Sequence, residues 1–148
     1  MHDFDHNFVV SECAFDFFDR HVAFAQLAKE IGQDTFFITG GSGLFGSWIL
    51  SFFEWAQKNK FAEPKVTVLS RKDVQGTSQT VKFVAGDILS FKLEDFTPCY
   101  TLHMAAPSAF ETFHGIDEIE KFFVLAKGTE RFLEFSRHNA KKRALVLS

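Results

Sequence analysis

The chain has 148 residues and a formal net charge of -3, with 46% hydrophobic and 24% charged residues. This length and composition fit one soluble globular domain with a real core, and no apolar stretch is long enough for a membrane span. The slightly acidic charge gives no reason to expect nucleic acid or an anionic membrane surface as a partner.

The cysteines, the first residues and the phenylalanines indicate the cellular compartment and how the core is built. Cys13 and Cys99 lie far apart and form no CxxC pair, which is typical of a reducing cytosol and argues against a disulfide framework. The start of the chain, MHDFDHNF, is acidic and lacks the apolar core of a signal peptide, so we expect a cytoplasmic protein. Phenylalanine is frequent, with 21 residues, and we interpret this as a core and surface that use Phe where other proteins use Leu. An exposed cluster of Phe could instead mark a partner surface.

The first element in chain order is helical. Residues 10–31 predict one or two helices that end at Gly32. We interpret residues 1–33 as an N-terminal helical extension that packs on the following domain or on a partner subunit. His2 and His6 have the spacing of a metal-binding pair, but an unordered terminus is the preferred interpretation, and we predict no metal site.

Strands and helices alternate after this extension. The predicted strands are 35–39, 65–70, 81–85, 99–105 and 143–148, and the predicted long helices are 44–58 and 117–137. Mostly apolar strands separated by helices predict an α/β fold with a doubly wound parallel sheet of about five strands. This domain would occupy residues 34–148.

The run TGGSGLFG, residues 39–46, connects the first predicted strand to the first long helix. Its glycines fit both GxxGxxG and GxGxxG, and a strand, glycine-rich turn and helix form the dinucleotide-binding fingerprint of a Rossmann-type fold. Glycine permits a sharp turn, close approach of a pyrophosphate and close helix packing. The helix N terminus then offers N–H groups to the phosphates. A Walker A loop is disfavoured because no lysine follows Gly46.

Residues after the second and third strands extend this prediction. The second strand ends in Ser70-Arg71, where many dinucleotide folds carry an acid for the adenosine ribose. Arg71 can instead pair with a 2′-phosphate, which favours NADP over NAD modestly; the alternative is a solvated basic turn. Asp87 follows the third strand and can accept a hydrogen bond from an adenine amino group or cap the next turn.

The fourth strand ends in HMAAP, residues 103–107. Small residues at this point would let the backbone pass close beneath a cofactor. His103 has the chemistry of a general base, but its place inside a strand favours a core histidine whose hydrogen bonds are satisfied.

Together these pieces resemble the N-terminal part of the NAD(P)-dependent epimerase/dehydratase proteins, the extended short-chain dehydrogenase/reductase group. The resemblance runs from about residue 35 to the end of the chain. It rests on TGGSGLFG (39–46), VLSR (68–71), GDI (86–88), HMAAP (103–107), KGT (127–129), RFLEFSR (131–137) and RALVLS (143–148). The extension before residue 35 is similar to one in a subgroup of nucleotide-sugar enzymes.

The resemblance implies NAD or NADP as cofactor and a set of residues that would bind it. The residues implied for the pyrophosphate are Gly40, Ser42, Gly43, Leu44, Phe45 and Gly46. Those implied for the adenosine are Ser70 and Arg71 at the ribose and Asp87 and Ile88 at adenine. Those implied for the nicotinamide half are Met104, Ala105 and Ala106 along the path to the ribose and Ser148 at the nicotinamide end.

The chain also departs from the family pattern. Family members often carry Asn three residues before the Gly-Thr of the long helix, where this chain has Leu125; an Asn-based proton relay is therefore in doubt. The family's later Ser or Thr and its YxxxK, in which Tyr is the acid/base and Lys lowers its pKa, have no match. The only tyrosine, Tyr100, lies in the fourth strand. We expect a domain truncated before the catalytic and substrate-binding part.

The preferred hypothesis is the NAD(P)-binding domain of a nucleotide-sugar epimerase/dehydratase-type oxidoreductase, inactive by itself. Its partners would be the dinucleotide and, in the whole protein, a nucleotide sugar, with a homodimer left open. The second hypothesis is a non-catalytic nucleotide-binding or interaction module on the same fold, favoured by the early stop and Leu125. A third, a methyltransferase-type enzyme, would usually need an acid where the chain has Ser70-Arg71.

Overall fold

A computed structural model of the protein describes residues 12–71, 78–107, 115 and 117–147. The helices are α1 (Glu12–Asp19), α2 (Val22–Ile31), α3 (Leu44–Lys58) and α4 (Glu118–Asn139). The strands are β1 (Thr35–Thr39), β2 (Lys65–Ser70), β3 (Val81–Ala85), β4 (Tyr100–His103) and β5 (Arg143–Val146).

The five strands form one parallel sheet in the order β3-β2-β1-β4-β5. The chain therefore builds outward from β1 in one direction and then returns to place β4 on its other side, which is the doubly wound, Rossmann-type order. The predicted α/β fold class is confirmed. The reversal puts a crevice between the carboxyl ends of β1 and β4, where such folds bind ligands.

The predicted fourth strand, 99–105, is too long at both ends. The observed β4 covers only Tyr100–His103. The Met104 N–H still donates to the Thr39 carbonyl, at 3.0 Å, but the chain then leaves the sheet toward Pro107, whose nitrogen has no hydrogen to donate. The fourth strand therefore ends at the crevice, and the residues after it lie at its rim.

The sheet is covered on both faces because β1 alternates its side chains. Phe36 and Ile38 belong to a cluster with α1, α2 and α3, whereas Phe37 belongs to a second cluster with Phe132 of α4. This alternation is the two-residue period of a strand. Four of the buried residues in the first cluster and three of those in the second are Phe, while Phe45 and Phe122 are exposed, so Phe is used in both core and surface, as predicted.

The two N-terminal helices pack on α3. Phe18 of α1 is buried against Phe52 and Trp55 of α3, and the Trp55 indole N–H donates to the Asp19 carboxylate at 2.7 Å. α2 ends where predicted, at Gly32, whose N–H donates to the Ala28 carbonyl. Within the described residues, the helical extension therefore packs on the domain itself.

The long helix α4 begins and ends at charged residues that suit its dipole. Asp117 caps its N terminus by accepting from the Ile119 N–H at 3.3 Å, and Arg137 and His138 lie in its last turn.

No helix in the described part of the chain is long and apolar enough to cross a membrane.

Candidate functional site

The turn after β1 leaves no room for a side chain at Gly40. Gly40 has φ +76, in the left-handed region, and a Cβ added there would lie 2.4 Å from the Met104 carbonyl carbon. Both the backbone angle and the contact exclude other residues. The turn closes with the Gly43 N–H donating to the Gly40 carbonyl at 3.1 Å. Gly40 therefore lets the β1 turn lie directly against the chain leaving β4.

The start of α3 packs as closely on this turn. A Cβ added at Gly46 would lie 2.4 Å from the Gly40 carbonyl oxygen and 2.5 Å from the Gly41 Cα. The first turn of α3 is thus held against the glycine-rich turn, as the sequence argument required of its last glycine.

The N terminus of α3 has the features of an anion site. Gly43 is its N-cap, and α3 has no side-chain hydrogen bond at this cap and no acidic residue in its first turn. Helices begin with backbone N–H groups that lack intrahelical partners and carry partial positive charge. A pyrophosphate seated there would accept from these groups without displacing a capping side chain.

The register of the strands gathers the other predicted residues at the same edge. Thr39 pairs with Leu69 of β2 and with His103 of β4, and Ser70 pairs with Ala85 of β3. Parallel strands end at a common edge, so the segments that follow β1, β2, β3 and β4 meet around the glycine-rich turn. Arg71 is exposed at this edge.

Asp87 is engaged in the turn that follows β3. Its carboxylate Oδ1 accepts from the Leu89 N–H at 2.7 Å, and its carbonyl accepts from the Phe91 N–H at 2.8 Å. This is the turn-capping role that the sequence left as an alternative. The adenine contact stays a prediction.

Ile88 is used in packing. Its side chain is buried with Phe37 and Phe132, and a Cβ added at Gly128 of α4 would lie 3.2 Å from it. Ile88 therefore supports the floor of the crevice against α4. Its predicted contact with adenine also stays a prediction.

The segment after β4 forms the opposite wall of the crevice from the glycine-rich turn. Met104 and Ala105 are half-buried and Ala106 is exposed, and the backbone of the first two lies against Gly40. Their route toward a nicotinamide ribose stays a prediction. Ser148 lies outside the described residues, as do His2 and His6.

His103 is a core histidine, as predicted. It is 3% exposed, its Nδ1 lies 2.6 Å from the Thr39 Oγ1 and its Nε2 lies 3.1 Å from the Thr129 Oγ1. The ring stacks on Phe132 with centroids 4.8 Å apart. Burial lowers the pKa of His103 below its usual range, because a buried imidazolium is poorly solvated. Sequence reasoning missed the two threonine partners, although both flank glycines of the motifs.

Tyr100 and Leu125, which were compared above with the family's acid/base tyrosine and relay asparagine, lie outside the crevice. Tyr100 stacks on Phe36 with centroids 5.1 Å apart, and the Lys142 ammonium lies 5.2 Å from its ring centroid. The only tyrosine of the chain is therefore part of the sheet packing. Leu125, where the family pattern has Asn, is 45% exposed on α4.

Two shallow depressions lie away from the crevice. One, of about 310 Å³, is lined by Phe91, Arg131 and His138, along the flank of α4. The other includes Thr35 and Lys65, at the opposite edge of the sheet. We assign the candidate site to the crevice because the glycine-rich turn and the α3 N terminus meet there, whereas neither depression has such a feature.

Comparison with known proteins identifies the fold through solved structures. No protein-family model and no curated protein matches the sequence. The epimerase Mth375 from Methanothermobacter thermautotrophicus has a TM-score of 0.61 and 20% identity over 83% of this chain. A short-chain dehydrogenase from Leptospira borgpetersenii, solved with bound NAD+, has a TM-score of 0.57 and 19% identity over 81%.

A third similar structure holds both a cofactor and a nucleotide sugar. MoeE5, solved in complex with UDP-glucose and NAD, has a TM-score of 0.55 and 20% identity over 76% of this chain. The chain spans 37%, 53% and 35% of the epimerase, the dehydrogenase and MoeE5, respectively. The chain therefore shares the Rossmann-type fold found in part of these epimerase and dehydrogenase structures.

Proposed function

We propose that this chain binds NAD or NADP in the crevice between the ends of β1 and β4. One observation carries the proposal: the Gly40 turn lies against Met104 with no space for a Cβ, directly beside the N terminus of α3, which no side chain caps. A helix N terminus without a side-chain cap can donate its N–H groups to a pyrophosphate, and a glycine-rich turn beside it lets the phosphates approach the backbone closely.

The proposed roles follow the segments around the crevice. Residues Gly40, Ser42, Gly43, Leu44, Phe45 and Gly46 would hold the pyrophosphate. Ser70 and Arg71 would face the adenosine ribose, and Asp87 and Ile88 the adenine. Met104, Ala105, Ala106 and Ser148 would follow the cofactor toward the nicotinamide. Arg71 favours NADP, because a guanidinium can bind a 2′-phosphate with two parallel hydrogen bonds.

We propose that the whole protein is an epimerase or dehydratase-type oxidoreductase acting on a nucleotide sugar. Bound nicotinamide supplies hydride transfer, while the chain supplies binding, orientation and exclusion of water. The fold shared with an epimerase, and with a protein solved with UDP-glucose and NAD, supports this assignment. The chain itself provides the cofactor side.

The second candidate is a binding module without catalysis. It is favoured by Leu125, which stands where the family pattern often has the Asn of a proton relay. Both candidates predict dinucleotide binding. They differ in turnover by the whole protein. An oxidoreductase would transiently reduce its bound NAD when UDP-glucose is added, which stopped-flow NADH fluorescence would detect, and a binding module would not.

We also propose a homodimer through the outer face of α4. Ile119, Phe122 and Leu133 on this helix are 64%, 67% and 45% exposed. Glu118 and Arg137 lie at opposite ends of α4, so an antiparallel pair of α4 helices would bring unlike charges together. Sedimentation at increasing concentration tests this, since a purely monomeric protein would contradict it.

The binding proposal is tested by calorimetric titration of the wild type and of Gly43→Val. Gly43 has φ -79, and a Cβ there would meet only the Gly40 carbonyl oxygen, at 3.3 Å. The variant should therefore fold, yet present a side chain where phosphate would lie. We expect NAD binding by the wild type and none by Gly43→Val. Undiminished affinity in a folded variant would reject the site.

A further inference from the structure

We infer that His103, held between Thr39 and Thr129, is a positioning residue that fixes the spacing of the two backbone segments forming the cofactor crevice. The inference rests on the proposed function and extends it to residues that do not touch the cofactor. It starts from the two hydrogen bonds of the imidazole, at 2.6 Å to Thr39 and 3.1 Å to Thr129.

Each member of this polar chain adjoins a wall or the floor of the crevice. Thr39 immediately precedes Gly40, and His103 immediately precedes Met104. Thr129 follows Gly128, the α4 residue that packs on Ile88. The imidazole therefore links the end of β1, the end of β4 and the middle of α4 at one level of the fold.

This linkage matters because the two backbone segments that form the crevice are already in close contact. The Met104 N–H donates to the Thr39 carbonyl at 3.0 Å, and a Cβ added at Gly40 would lie 2.4 Å from the Met104 carbonyl carbon. A change in the separation of β1 and β4 at this level would move both segments that a dinucleotide must touch. Binding sites lose affinity when their supporting groups leave them about 1 Å too loose.

Packing against the core does not by itself require a histidine at position 103. An apolar side chain would also pack on Phe132 and would need no hydrogen-bond partners. The buried imidazole and the buried Thr39 hydroxyl, by contrast, must satisfy each other, with the half-buried Thr129 hydroxyl as the second partner. Hydrogen bonds are directional and fix a distance more narrowly than apolar contact does. The polar chain is thus suited to setting geometry at the crevice.

A second buried polar pair between β4 and α4 provides a matched control. The Thr101 hydroxyl donates to the Ser136 hydroxyl at 2.8 Å, and both residues are buried. This pair lies two residues earlier in β4 and two helical turns along α4, away from the crevice. It joins the same two elements without adjoining a proposed cofactor residue.

The test separates stability from positioning with an all-apolar triple variant, Thr39→Val, His103→Leu and Thr129→Val. Replacing every polar member by an apolar group of similar shape leaves no unsatisfied partner and can be nearly neutral for stability. We expect a urea unfolding midpoint close to that of the wild type. We also expect NAD affinity to fall about tenfold or more, because the apolar core no longer fixes the crevice.

The control and rescue variants sharpen this result. Thr101→Val with Ser136→Ala should retain wild-type NAD affinity. Thr39→Ser with Thr129→Ser keeps both hydroxyls and should also retain it. A folded triple variant that binds NAD as tightly as the wild type would overturn the inference.

A readout without cofactor separates this inference from the proposed function. Hydrogen exchange of the Met104 amide, which bonds to the Thr39 carbonyl, should accelerate in the triple variant and stay unchanged in the Thr101/Ser136 control. Unchanged exchange in the triple variant would overturn the inference even if no dinucleotide binds. Failure of the wild type to bind NAD and NADP would reject only the proposed function.

Discussion

Gly40→Ala is the substitution whose effect the structure defines most closely. Two costs combine at this position. An L-residue at φ +76 pays about 1–2 kcal/mol for the left-handed conformation. The new methyl would also lie 2.4 Å from the Met104 carbonyl carbon and 2.5 Å from the Ala105 nitrogen.

The contact cannot be relieved by a side-chain rotation, because its partners are backbone atoms. Ordinary carbon contacts lie near 3.5 Å, so β1 and the chain after β4 must separate by about 1 Å. Overpacking of this kind costs about 1–3 kcal/mol. The two terms together predict that the free energy of unfolding falls by about 2–5 kcal/mol, and that NAD binding is lost.

Gly32→Ala is a control that has positive φ but no clash. Gly32 has φ +56 and ψ -115, and a Cβ there meets only the Lys29 carbonyl oxygen, at 3.9 Å. Urea unfolding followed by the fluorescence of buried Trp55 measures both variants. We expect Gly32→Ala to lose about 1–3 kcal/mol, because an alanine rarely adopts this backbone conformation, and to bind NAD normally.

The size of the loss in Gly40→Ala decides whether the contact is real. If its free energy of unfolding fell by less than about 2 kcal/mol, the lower bound of the two terms, the close approach of the β1 turn to Met104 would be wrong. If Gly40→Ala kept its NAD affinity, the crevice would not be the cofactor site.

Two further predictions concern the cofactor's phosphate and the buried imidazole. Arg71→Ala should weaken NADP binding at least tenfold, since a charge-assisted hydrogen bond contributes about 1.5–3 kcal/mol, and change NAD binding little; equal losses for both nucleotides in calorimetry would remove the 2′-phosphate role. Burial lowers the pKa of His103 from its usual 6.5, so near and below that pH the unfolded state binds more protons than the folded state. The free energy of unfolding should therefore fall as the pH drops through this region, by at most about 1.4 kcal/mol per pH unit. His103→Leu should flatten that dependence in urea titrations, and an identical slope would contradict the assignment.

The parallel sheet follows from patterns that the sequence contains locally. Apolar runs separated by helices predict parallel strands, and TGGSGLFG predicts the doubly wound, Rossmann-type class, whereas the order β3-β2-β1-β4-β5 comes from the structure. The predicted bounds of β1, β2, β3 and α3 agree with the structure. The predicted bounds of β4 and β5 were wrong. Met104 and Ala105 continue the apolar pattern of β4 although the chain has left the sheet after His103, and β5 ends at Val146, before the predicted end at residue 148.

The partners of the crevice residues could not be predicted from the sequence. Thr39, His103 and Thr129 meet only after β1, β4 and α4 have packed, and their spacing of 64 and 26 residues carries no local signal. Asp87 had two plausible roles in a Gly-Asp turn, and only the fold shows that its Oδ1 accepts from Leu89. Tertiary packing decides such roles, since the same residue types satisfy several local patterns.

The most direct test of the account is to map amide chemical shifts while NAD is titrated into the isotope-labelled wild type. We predict that the amides of Leu44, Gly46 and Ala105 shift together with one saturation curve. Those of Arg131 and Lys65, in the two depressions away from the crevice, should not shift. Shifts confined to either depression, or no shift in a folded sample, would contradict a dinucleotide site at the glycine-rich turn.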